Sequence, residues 1–75
     1  MRVNKIIRKP THDIVFVDVY IDNFYANDTR FGGYWSEFKY LRIAKNKWLI
    51  DYYTSKEKVT DECDLEELEK IYNKF

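Results

Sequence analysis

The sequence predicts an α+β fold: a small antiparallel sheet of about four strands, near residues 2–9, 14–21, 34–43 and 48–53, with one C-terminal helix near 64–75 packed on one face. Three observations predict it. The run Ile14 to Ile21 is β-branched and aromatic and places Val15, Val17, Val19 and Ile21 on one side. Two aromatic-rich segments, Tyr34–Ile43 and Trp48–Tyr53, flank the polar Ala44-Lys45-Asn46-Lys47. Near the C-terminus, Leu65, Leu68, Ile71, Tyr72 and Phe75 recur at helical spacing.

The first strand holds Val3, Ile6 and Ile7 among basic side chains and stops at Pro10, as an edge strand does. Thr11-His12-Asp13 reads as a turn. The second strand is central, with Ile14, Phe16, Asp18 and Tyr20 on its other face. Asp22 to Gly33 reads as one long turn-rich connection, and long connections often carry function. Gly32-Gly33 supplies the only glycines. Residues 34–53 read as a hairpin; the rival is one helix carrying Phe38, Leu41, Trp48 and Tyr52, whose stripe is broken by Lys45. Thr54 to Cys63 reads as a polar linker. Asp64 then reads as an N-cap with Glu67 completing a capping box, and the early glutamates and late lysines suit the helix dipole.

At 75 residues the chain is expected to form a single domain, 1–75, with a thin core. Aromatics are 19% of it, and twelve of the fourteen fall between Phe16 and Tyr53. So small a domain cannot bury them all, so part of this ring-rich half is expected to meet a partner. The single Cys63 allows no internal disulfide and no four-cysteine zinc site, and together with the lack of an apolar run of membrane-span length it points to a cytoplasmic location without membrane association. Net charge is zero, but residues 1–48 carry nine Lys/Arg against five Asp/Glu, and the remainder four against eight. Glu57, Asp61, Glu62, Asp64, Glu66, Glu67 and Glu69 concentrate the acidic side.

Catalytic chemistry finds no foothold in the pattern. His12 sits in a turn remote in sequence from Cys63, and Ser36 and Ser55 lack a nucleophile-elbow context. The Asp22–Asp28 segment has Phe24 where a calcium loop needs Asp or Asn, and two adjacent glycines make no phosphate-binding loop. No enzyme activity, metal or cofactor is expected.

Interfaces are enriched in Tyr, Trp, Phe and Arg, and the connection and hairpin supply all four. The expected partner-binding set is Phe24, Tyr25, Arg30, Phe31, Tyr34 and Trp35, while Trp35 and Phe38 also suit a core. An alternative is single-strand nucleic-acid binding through Lys39, Arg42, Lys45, Lys47 and Trp48, where rings could stack bases and lysines meet phosphates. Zero net charge and the acidic C-terminal third weigh against it. A third expectation is a homodimer that pairs the uncovered sheet face with its twin. The abundance of Lys, Asn, Ile, Tyr and Asp fits an AT-rich phage or mobile element. The resulting expectation is a non-enzymatic binding module that occludes a larger host protein.

Overall fold

The computed structural model describes residues 1–75 except Asp22, Asn23, Asn27, Asp28 and Tyr53; for 24–26 and 29–31 it describes the backbone alone. Five strands run as an antiparallel meander in the order β1 (Arg2–Arg8), β2 (Asp13–Ile21), β5 (Tyr34–Ala44), β6 (Lys47–Asp51) and β7 (Lys56–Lys58). Between β2 and β5 a separate two-stranded ribbon forms from β3 (Phe24–Ala26) and β4 (Thr29–Phe31). The chain closes with α1 (Glu62–Lys74).

Alternation along β2 sorts the side chains between two faces. Val15 and Val17 are fully buried beneath α1, together with Tyr40, Trp48 and Leu68. Val3, Ile6, Val19, Phe38, Ile50, Leu65, Ile71 and Tyr72 pack around them. The opposite face has an apolar strip of its own. Ile7, Ile14, Leu41 and Leu49 stand directly opposite one another across four strands. Leu41 is 5% exposed although it lies outside the core beneath the helix, so the strip shields itself.

The expected strands and helix are present, with differences that have local causes. Residues 34–44 and 47–51 form the hairpin, not a helix, joined through a two-residue turn at Lys45-Asn46. Asn46 takes φ 60, a left-handed conformation that asparagine tolerates, and the register shifts between Arg42 and Ala44. The expected polar linker contains β7, a strand of Lys-Glu-Lys with no apolar residue to announce it. It is held by the ladder to β6 and by the Val59 amide donating to the Trp48 carbonyl at 2.9 Å. The helix begins at Glu62 rather than Asp64, so the expected capping box is replaced. Asp61 is the N-cap, and its carboxylate accepts from the amides of Cys63 at 2.9 Å and Asp64 at 3.4 Å.

Within the stretch expected as one long connection, Phe24–Ala26 and Thr29–Phe31 pair as strands. Partner residue numbers in the β2–β5 ladder total 55, as in Ile21 with Tyr34, and those of the β3–β4 ladder also total 55, as in Phe24 with Phe31. The two ladders thus share one register, although they form separate sheets. β1 reaches only as far as Asp18 along β2, and β6 only as far as Lys39 along β5. Beyond those points the hairpin runs on as a two-stranded arm. The molecule is 47 Å along its longest axis, and its radius of gyration of 13.9 Å exceeds the ~11 Å expected of a compact chain of this length.

Candidate functional site

The arm gathers rings at its base. Tyr20 and Trp35 are directly opposite one another on the face away from the helix, with ring centroids 5.4 Å apart and planes tilted by 58°. They are 47% and 50% exposed, and Tyr34, on the other face, is 49% exposed. The Arg2 guanidinium lies 4.3 Å from the centre of the Trp35 ring and also bonds Asp18 at 3.3 Å, so it stacks on the indole while held by a carboxylate. Gly33 belongs to the same assembly. A side chain there would overlap the hydroxyl end of Tyr20 and come within 2.8 Å of the Ile21 carbonyl oxygen, so Tyr20 occupies space that only glycine leaves open.

Of the expected partner-binding residues, Tyr34 and Trp35 stand at the base of this arm, and Trp35 is a surface ring rather than a core one. Phe38 instead packs against the core. Phe24, Tyr25, Arg30 and Phe31 belong to the ribbon by their backbone, and their side chains lie outside the described residues. Tyr20 and Arg2 were not among the expected contacts. Their proximity to Trp35 depends on strand register, which residue order alone did not fix.

The expected nucleic-acid residues are dispersed. Lys39 faces away from the helix and pairs with Asp51 at 3.3 Å. Lys45 and Lys47 are exposed at the hairpin turn. Trp48 is 1% exposed, deep beneath α1, so its ring offers no base a stacking surface. Arg42 is on the helix side and bound to Glu69. These residues share no single surface.

Glu69 organises the junction between helix and hairpin. It is 7% exposed and accepts from Arg42 Nε and Nη2 at 3.1 Å each, from the Asn46 amide at 2.7 Å and from Trp48 Nε1 at 2.8 Å. Burial pulls its pKa upward. The hydrogen bonds from Arg42, Asn46 and Trp48 and the Arg42 charge together outweigh that, and the carboxyl is held below its ordinary value. The same bonds hold Arg42 above its usual range, hydrogen bonding to Glu69 being the main cause. Arg42 in turn stacks 4.3 Å over Tyr72, whose hydroxyl donates to Asp13 and accepts from Arg8 at 2.9 Å. Every donor around Glu69 is matched, and among the described residues no buried side-chain polar atom lacks a partner. This hub is a structural clamp. In the sequence Glu69 was one of seven acids in a run, and Arg42 and Trp48 were candidate nucleic-acid contacts.

Among the described residues no three His, Cys, Asp or Glu come together as a metal site, and no helix is long and apolar enough to cross a membrane. His12 contacts the Thr11 hydroxyl at 2.9 Å, and Cys63 is an exposed free thiol in the first helical turn. The chain matches no protein-family model, and the comparisons with curated proteins and with solved structures likewise find no match.

Proposed function

We propose that this chain is a small non-enzymatic protein-binding module, and that the base of its β-arm is the contact surface. The carrying observation is the exposed Tyr20–Trp35 pair, capped by Arg2, with Tyr34 exposed on the opposite face of the same arm. Trp, Tyr and Arg are the residue types that dominate interface energetics, and a ring already held by neighbours loses little freedom on binding. The ribbon beyond it carries Phe24, Tyr25, Arg30 and Phe31 in its backbone. Such an arm acts by covering part of a larger partner. The composition supports a phage or mobile-element origin, with a host protein as the partner. The lone free cysteine supports a cytoplasmic setting.

The test is capture of proteins from host lysate by immobilised wild type and by a Tyr20→Ala/Trp35→Ala variant. Loss of a hot-spot ring costs about 2 kcal/mol or more, roughly 30-fold in Kd, so the variant should lose a specific partner at matched concentration. Its thermal midpoint should change little. Undiminished capture by a folded variant would remove the arm from the function.

A further inference from the structure

The five-stranded sheet divides its charge between its two faces. Strand register places six cations on the face away from α1: Arg2, Lys5, Lys39, Lys47, Lys56 and Lys58. The carboxylates on that face are Asp18, Glu37 and Asp51, and each already has a partner: Arg2 at 3.3 Å, Asn4 at 2.7 Å and Lys39 at 3.3 Å. Among the described residues Lys5, Lys47, Lys56 and Lys58 make no ion pair, and all four are exposed. The helix side is the reverse. There α1 and its cap hold Asp61, Glu62, Asp64, Glu66, Glu67 and Glu69 against Lys70 and Lys74. Zero net charge thus describes the chain as a whole and neither of its faces.

The sorting is visible within one strand. Alternation along β7 turns Lys56 and Lys58 to the open face and Glu57 to the helix side. Rings stand among these cations. The row Lys5, Phe16, Lys39, Asp51 and Lys56 crosses all five strands, about 19 Å at ~4.8 Å per strand, and sets Phe16 between two lysines. Further along β2 on the same face, Tyr20 and its partner Trp35 are about half exposed.

We propose that this open face binds single-stranded nucleic acid, with phosphates on Lys5, Lys47, Lys56 and Lys58 and bases stacked on Phe16 and on the Tyr20–Trp35 pair. A sheet that offers rings to bases and unpaired cations to the backbone suits sequence-tolerant binding, because every base has a π-face and every nucleotide a charge. An acidic polypeptide would satisfy the lysines but leave the stacking surfaces unused. Of the residues expected in nucleic-acid contact, Lys39 and Lys47 lie on this face, whereas Arg42 and Trp48 belong to the helix side. Phe16, Lys5, Lys56 and Lys58 take their place. The inference goes beyond the protein-binding role proposed above, since it needs no partner protein and is tested on lysines outside the Tyr20–Trp35 pair, so either can fail without the other.

Fluorescence anisotropy of a labelled oligothymidylate of about 16 nucleotides tests it. Four phosphate contacts on a single strand, at about 0.7 each, give a slope of log affinity against log salt of about −2.8. Affinity should therefore fall roughly 50-fold between about 50 and about 200 mM salt. Lys56→Gln/Lys58→Gln should halve the slope to about −1.4 with an unchanged circular dichroism spectrum. Glu62→Gln/Glu66→Gln alters net charge on the far side of the molecule and should shift Kd less than about twofold at ~0.1 M salt, where charges more than ~10 Å away are screened. Saturating oligonucleotide should quench Trp35, while Trp48, 1% exposed, stays unaffected. No binding at the lowest salt would overturn the proposal, as would an unchanged slope in the double lysine variant. Displacement of the oligonucleotide by an equal concentration of poly-glutamate would overturn it too, and would assign the face to an acidic protein surface.

Discussion

Replacing Glu69 with alanine should loosen α1 from the sheet. Four hydrogen bonds end on this carboxylate: two from Arg42, one from the Asn46 amide and one from the Trp48 indole. The substitution leaves the Trp48 N–H, in a residue 1% exposed, without an acceptor, and strips a partly buried guanidinium of its counter-charge. Removing one member of a buried ion pair costs ~3–5 kcal/mol, chiefly because the charge left behind stays desolvated. The whole domain, at ~0.05–0.15 kcal/mol per residue, holds only about 4–11 kcal/mol. Glu69→Ala should thus remove about a quarter or more of the stability, a fall in Tm of at least ~12 °C at about 4–8 °C per kcal/mol. Urea denaturation followed by tryptophan fluorescence and far-UV circular dichroism measures it directly. Arg42→Ala and the double variant complete a cycle, and the coupling should exceed ~1 kcal/mol. A Glu69→Ala loss below ~1 kcal/mol would refute the reasoning, since the carboxylate would then hold nothing that water could not.

The same group predicts a pH dependence. Its pKa is lowered from 4.5 in the folded state, so its stabilisation is full above 4.5 and is lost as pH falls through the folded value. Glu69→Gln should flatten the acid limb of the stability curve below pH 4.5, and an unchanged limb would assign acid sensitivity to other carboxylates. Asp61→Ala removes the N-cap of α1 and should cost about 1 kcal/mol by chemical denaturation, whereas Asp64→Ala should cost clearly less. Gly33→Ala should displace Tyr20 from its seat and destabilise by ~1–3 kcal/mol, with a shift in Trp35 emission; unchanged emission would show that the pair does not depend on that glycine.

What could be read from the residue order was whatever depends on near neighbours. The alternation of Val15, Val17 and Val19 announced a strand with one buried face, and Leu65, Leu68 and Ile71 announced the helix, because burial of one face imposes its own period. β7 gave no such signal, since a Lys-Glu-Lys edge strand buries nothing and exists only because β6 offers it a ladder. The N-cap lies three residues earlier than expected because Asp61 and Asp64 are equally good caps in isolation, and the β7-to-helix path decides between them.

The candidate site was half legible. Tyr34 and Trp35 stood out as residue types, but the ring that pairs with Trp35 and the arginine that caps it come from strands far away in the sequence. By itself the sequence determined the sheet, the helix, the apolar faces and the surplus of rings, all consequences of local periodicity and composition. Only the tertiary structure decided that Glu69 is a buried clamp while its neighbours in the acidic run remain at the surface, that Trp48 is core while Trp35 is surface, and that Phe24–Ala26 and Thr29–Phe31 pair as strands. The physical reason is common to all three. Exposure, charge pairing and register are set by contacts between residues distant along the chain, and their free energy appears only once the strands have met.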